Sequence, residues 1–312
     1  MFNLFKSLAA VAVVALVSAC GGGDDNPHPT TNIVQTAQAN AQFSILVEAV
    51  TAAGLGETLS GAGPFTVLAP TNDAFAKLLT ELNINKAALL ANKPLLTAVL
   101  TYHVVPSQVL KAQVPLGKAI KTVQGDIFKV DAKGADLVIT DGRNRNAKIT
   151  ATDILTTNGV IHQIDTVLLP ADKTIVQTAQ ALAPEFSILV EAVVAANLAG
   201  TLNGAGPYTV FAPTNAAFAA ALTELGLTKA QLLANTALLQ KVLTYHVVSG
   251  RVLKADVPVG TPIFTVQGET FNVNAALAIT DKRARVANIT ATDVLASNGV
   301  IHVIDKVILP AP

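Results

Sequence analysis

The chain has 312 residues, 51% of them hydrophobic, and its 21 basic and 21 acidic side chains cancel to zero net charge. Nucleic-acid binding depends on excess positive charge, so no nucleic-acid partner is expected. The length is that of two ordinary domains, and 4% aromatic residues with no Trp supply little for stacking on sugars.

Residues 1–19 read as an export signal. Lys6 is a small positive n-region, residues 8–17 form an apolar run of Leu, Ala and Val, and small residues precede Cys20, the one cysteine. The run is shorter than the about 20 residues a membrane span needs and fits a signal peptide. Val17-Ser18-Ala19-Cys20 resembles a bacterial lipobox. That resemblance implies a lipidated Cys20 as the mature N-terminus and a membrane contact through the lipid. A lone exported cysteine also lacks a disulfide partner. Residues 20–30 have no apolar periodicity and read as a flexible tether, with His28 solvated. Without Lys6 the 21 basic residues fall to 20, so the mature chain stays nearly neutral.

The rest is written twice, as 31–170 and 171–312. Phe43 to Val50 recurs 143 residues later from Phe186, and Thr101-Tyr102-His103 recurs as Thr244-Tyr245-His246. Gly159-Val160-Ile161-His162-Gln163-Ile164-Asp165 returns after only 140 residues, from Gly299 to Asp305. Three residues are therefore missing from the second copy, in a hairpin between about 130 and 276. So long a period marks a duplicated domain, not a solenoid of roughly 20–50-residue units. The junction around Leu169-Pro170-Ala171-Asp172 has no Gly/Ser tract, so the copies should sit close together.

Within a copy, Phe43, Leu46, Val47 and Val50 form one helical stripe that Gly54 and Gly56 end. Phe65 to Ala69 reads as a buried strand, and Thr71 as the cap of a second helix. A third helical face carries Leu95, Leu96, Val99 and Leu100. Beyond Val104, short runs broken by Pro and Gly read as strands and tight turns. The run at 159–169 is a mostly buried strand, and Asn158-Gly159 before it is left-handed turn chemistry. Helices first and strands afterwards argue for an α+β fold.

Thr66 to Phe75, Tyr102-His103 and Asn158 to Asp165 resemble the signature of the fasciclin (FAS1) domain, and the second copy repeats all three. The resemblance spans essentially the whole mature chain. It implies two tandem β-sandwich-like wedges with helices packed around them, and an extracellular or envelope module for adhesion or surface contact. In animal members an Asp-Ile pair near the last strand is associated with integrin binding. Asp153-Ile154 matches that pair and Asp293-Val294 is its counterpart. The lipobox-like site points to a bacterial source, so only the position is carried over.

Catalytic and metal readings are weighed against structural ones. His103 and His246, each beside a Tyr, fit a metal ligand or general base, or else a buried imidazole with both nitrogens bonded. One His per motif, with no second His or Cys at ligand spacing, falls short of a zinc site. His162 and Asp165, like His302 and Asp305, have opposite strand parity, which weakens a dyad. No Gly-x-Ser-x-Gly elbow and no phosphate-cradling glycine loop are present. Arg143 with Arg145, and Arg283 with Arg285, read as solvated hairpin tips, or less readily as an anion or acidic-glycan contact.

The expectation is a non-catalytic, lipid-anchored envelope protein without cofactor or metal, on the periplasmic face or the cell surface. It would contact a protein or polysaccharide through Asp153, Ile154, Asp293 and Val294. Thr71, Tyr102, His103 and His162, with Thr214, Tyr245, His246 and His302, would hold the fold. The alternatives are a carbohydrate- or small-ligand-binding protein and a hydrolase centred on the Tyr-His pair.

Overall fold

The structure, a computed structural model, describes residues 29–312. The signal segment, Cys20, His28 and nearly all of the tether lie outside the described residues. Among the described residues no helix is long and apolar enough to cross a membrane.

Helix α1 (Ile33–Gln38) starts at Asn32, whose side chain accepts the Gln35 N–H while the Gln35 side chain returns to the Asn32 N–H. Helix α2 (Ser44–Ala53) buries Leu46, Ala49 and Val50 and stops at Gly54, whose φ of 74° is open to glycine without a Cβ penalty. After α3 (Gly56–Ser60) comes the short strand β1 (Phe65–Pro70). The Thr71 hydroxyl caps α4 (Asn72–Leu82) by accepting the Ala74 N–H at 3.3 Å. Helices α5 (Lys86–Ala91) and α6 (Lys93–Tyr102) complete the helical half.

The remaining strands are β2 (Val104–Val105), β3 (Ala119–Lys121), β4 (Ile127–Lys133), β5 (Asp136–Thr140), β6 (Asn146–Thr156) and β7 (Gly159–Ile164). They form one seven-stranded sheet in the order β2-β1-β7-β6-β5-β4-β3. Strand β7 is central and pairs parallel with β1, Phe65 facing Gly159 and Pro70 facing Ile164. That position explains its near-continuous apolar run. Gly159 is required by close approach, since a Cβ there would lie 2.0 Å from the Phe65 carbonyl oxygen. Asn158 does not take the left-handed backbone expected of it. Its side chain instead accepts the Ile33 N–H and donates to the Leu59 and Gly61 carbonyls, tying α1 and α3 to the sheet.

Strand β6 bends the sheet. Its register against β7 slips twice between Ile149 and Ile154, the mark of bulges. Residues 146–148 therefore pair with β5 and the rest with β7. The bend makes the wedge and leaves two apolar cores. Helices pack Leu46, Phe75, Leu96 and Ile161 on one face, and the curled strands enclose Leu68, Tyr102, Phe128, Ile139 and Ile164 on the other. Full burial of one such aliphatic or Phe side chain is worth about 1.5–3 kcal/mol.

The second copy repeats the order with α7 (Ile175–Ala181), α8 (Ser187–Ala195), α9 (Ala199–Leu202), β8 (Tyr208–Pro213), α10 (Asn215–Leu225), α11 (Lys229–Ala234) and α12 (Thr236–Tyr245). Strands β9 (Val247–Ser249), β10 (Pro262–Phe264), β11 (Thr270–Val273), β12 (Ala278–Thr280), β13 (Val286–Ala296) and β14 (Gly299–Ile304) follow. Thr214 caps α10 as Thr71 caps α4. The missing residues fall at the hairpin, where β11 and β12 are shorter than β4 and β5.

Candidate functional site

The Tyr-His pairs come first, because chemistry would need them. His103 lies at the end of α6, 2% exposed. Its Nδ1 donates to the Val99 carbonyl at 2.7 Å and its Nε2 accepts the Leu168 N–H at 2.9 Å. His246 repeats this with Val242 at 2.8 Å and Ile308 at 3.1 Å. Burial pushes both imidazoles down to about 4, so they are neutral at neutral pH. The Tyr102 hydroxyl donates to the Ile127 carbonyl at 2.6 Å and accepts the Gly142 N–H at 2.8 Å. Tyr245 donates to Thr270 at 2.9 Å. Burial raises both phenols. No hydrogen bond joins Tyr102 to His103, and neither imidazole keeps a nitrogen for a metal or a substrate. Each pair bolts the end of α6 or α12 to the strands.

His162 and His302 hold the bulge of the long strand. His162 Nδ1 accepts the Asp153 N–H at 3.1 Å and Nε2 donates to the Val109 carbonyl at 2.8 Å. In the second copy the distances are 3.3 Å to Asp293 and 2.9 Å to Val252. Asp165 faces elsewhere and accepts the Lys148 N–H at 2.8 Å. Among the described residues no group of three or more His, Cys, Asp or Glu could hold a metal ion.

The bulge puts Asp153 and Asp293 at φ of 60° and 61°, a left-handed backbone that Asp tolerates better than most residues. Each carboxylate caps a short 3₁₀ turn. Asp153 Oδ1 accepts the Lys111 N–H at 2.8 Å, and Asp293 Oδ1 accepts the Lys254 N–H at 2.7 Å. Ile154 and Val294 do not stand beside them as an exposed apolar partner. Both are partly buried and pack on the helical cores. The apolar residue turned away from the helical core is Leu155 in the first copy and Leu295 in the second.

From there the copies diverge. Asp153 is exposed and Leu155 is 50% exposed. Asp293 and Leu295 are 5% and 2% exposed, because the first domain covers them. Asp293 Oδ2 accepts Lys129 Nζ at 2.9 Å. Burial works to lower the Lys129 pKa, but hydrogen bonds to Asp293 and Asp131 outweigh it and hold it above the usual lysine value. Asn144 bridges the Leu295 backbone, accepting its N–H at 2.6 Å and donating to its carbonyl at 3.0 Å. Ile127 joins Leu253, Leu295 and Val300 in one apolar cluster. Arg251 faces Asp126 at 3.8 Å and Lys118 faces Asp256 at 3.7 Å on the rim. Asp293, expected to face an outside partner, thus lies in the contact between the two domains, while Val294 packs on its own domain's helical core.

Arg145 and Arg285 are not solvated tips, whereas Arg283 stays exposed. Asp141 is 1% exposed; its Oδ1 accepts the Arg143 and Arg145 N–H groups, and its Oδ2 accepts Arg145 Nη2 at 2.8 Å and the Leu169 N–H at 3.0 Å. Arg145 also reaches Glu81 on α4 at 2.6 Å. Asp281 and Arg285 repeat the clasp. Its sequence signal is the repeated Asp-x-Arg-x-Arg. Lys129 and Asn144 carry no such signal, since the second copy has Asn272 and Ala284 in their places.

These features define a tandem pair of α+β domains, each closed by a parallel β1–β7 type pair and bolted by buried His and Tyr residues. The chain belongs to the fasciclin domain family, whose model matches residues 41–170 and 184–310. Protein sll1483 of Synechocystis sp. is 43% identical over 138 residues, 44% of this chain and 73% of that protein. Transforming growth factor-beta-induced protein ig-h3 of Sus scrofa is 31% identical over 256 residues, 81% of this chain. The chain spans only 35% of ig-h3. Among solved structures, a FAS1 domain pair from the insect cell adhesion molecule fasciclin I matches 88% of this chain and 95% of that one, with 19% identity and a TM-score of 0.44.

Proposed function

We propose that the protein is a non-catalytic adhesion or surface-interaction protein of the cell envelope, anchored through lipid on Cys20. Its partner would be a protein or polysaccharide of the envelope or of a neighbouring cell. The observation that carries this reading is the first domain's bulge. There an exposed carboxylate and an exposed leucine stand together on a rigid strand, while the buried histidines and tyrosines are consumed by internal bonds. One charge-assisted hydrogen bond beside one desolvated apolar contact makes a modest hot spot. The test is attachment of cells or coated beads to Asp153→Ala/Leu155→Glu. Weaker attachment with an intact fold supports the reading, and unchanged attachment removes this face from the interface. The anchor is tested separately, by fatty-acid labelling that Cys20→Ser should abolish.

A second reading, carbohydrate binding, draws support from a polar groove of about 570 Å³ in the first domain, lined by Gln42, Asn72, Asp73, Lys77, Gln163 and Asp165. Saturation-transfer NMR with envelope glycans tests it. The hydrolase reading finds no free base in the Tyr-His pair.

A further inference from the structure

The contact between the domains is heterologous: the second domain's bulge meets the β4 face of the first. A contact of that kind leaves one unused half at each end of a tandem. The unused half on the first domain is a close copy of the half in use. Asp153, Leu155 and Leu110 stand where Asp293, Leu295 and Leu253 stand, and the bonds that shape the bulge agree within a few tenths of an ångström. Leu155 faces Val160 as Leu295 faces Val300. The Leu295 N–H and carbonyl that Asn144 takes point away from β14. The same backbone groups of Leu155 therefore point away from β7, along a stretch of β6 beyond its pairing with β5. Asp153 Oδ2, the counterpart of the oxygen that holds Lys129, has no partner among the described residues.

We propose that this edge of the first domain, Asp153 to Leu155 with Leu110, docks a fasciclin domain of another chain. That domain would carry an aliphatic residue, a lysine and an asparagine in the places of Ile127, Lys129 and Asn144. The inference rests on the surface-interaction reading and names the partner's chemistry. A second copy of this chain is a poor occupant. Its first β4 face is already covered, and its second domain offers Thr270, Asn272 and Ala284 at those three positions. It supplies no cation in the place of Lys129, no amide in the place of Asn144 and no aliphatic side chain in the place of Ile127. The second domain thus offers no matching face, which keeps a non-closing contact between copies from growing into a filament.

The probe is the full chain with Cys20→Ser and Thr270→Ile, Asn272→Lys and Ala284→Asn, which grafts the docking residues onto the exposed face of the second domain. Ala284 has φ of 56°, which Asn adopts more readily, so the graft does not strain the turn. Isotope-labelled full chain with Cys20→Ser and otherwise native sequence is titrated with the unlabelled graft and followed by amide NMR. Saturable shifts at Lys111, Asp153 and Leu155, lost in a labelled Leu155→Glu chain, are expected. No shifts from a graft that is folded by its own spectrum would overturn the proposal. Equal shifts from unlabelled native sequence would make the partner a second copy and overturn it too. Shifts without any effect of these residues on cell attachment would instead count against the adhesion reading.

Discussion

The two domains share their interior and differ on one edge. His103 and His246 make the same two bonds, Asp141 and Asp281 the same clasp, and Asp153 and Asp293 the same cap. Yet Leu155 is 50% exposed and Leu295 is 2% exposed. The difference is not in the motif, which is Asp-x-Leu in both copies. It lies in what stands opposite, and only one domain has a Lys129 and an Asn144 to offer. The same surface motif is thus covered in one copy of the duplicated domain and exposed in the other.

The largest expected effect tests the shared interior. The unfolded chain takes up a proton on His103 and on His246 near pH 6.5, the folded chain only near pH 4. Protons therefore favour unfolding in that window. The stabilisation is complete above about pH 6.5 and is lost as the pH falls toward 4, by about 3 kcal/mol for each histidine. Urea unfolding at pH 7 and pH 4.5 measures it. His103→Gln and His246→Gln should each flatten the loss to the same degree, and unequal effects would break the symmetry of the interiors.

The edge is tested next. Asp293→Ala removes a cap and a buried partner of Lys129 and should cost about 3 kcal/mol, softened because Asp131 still holds the lysine at 3.0 Å. Asp153→Ala removes only a cap and should cost about 1 kcal/mol. Denaturation of the two variants reads the difference directly, and equal costs would mean that the contact contributes nothing. The smallest effect concerns an apolar cavity of about 120 Å³ beneath α1 and α2, whose counterpart in the second domain is about 30 Å³. Gly56 borders the larger cavity, where the second copy has Ala199. A Cβ on Gly56 would meet nothing within 4 Å. Gly56→Ala should therefore stabilise the first domain by about 0.4–1 kcal/mol, seen as a small rise in Tm.

The parts of this legible in the sequence are those fixed by near neighbours. The Thr71 cap, the Gly54 stop, the buried run of β7 and the shortened hairpin all follow from residues a few places apart or from aligning the copies. Ile154 shows where that reasoning ends. The resemblance places it outward beside Asp153, but it pairs with Ile161 and packs on the helical core, and Leu155 comes out instead. The Asp141 clasp is likewise half local: Arg143 and Arg145 are neighbours, while Leu169 and Glu81 arrive through the fold. The contact between the domains leaves no local trace, because the residues that receive Asp293 and Leu295 come from a different domain.

The central claim, that one bulge is occupied by the partner domain and its copy is free, reduces to two amides. Hydrogen exchange of the Leu155 and Leu295 N–H groups, read residue by residue in the native chain, tests it most directly. The account predicts slow exchange at Leu295, whose N–H is bonded to Asn144, and fast exchange at Leu155. Asn144→Ala should speed the first without touching the second. Equal protection at the two sites, or a Leu295 amide indifferent to Asn144→Ala, would contradict it.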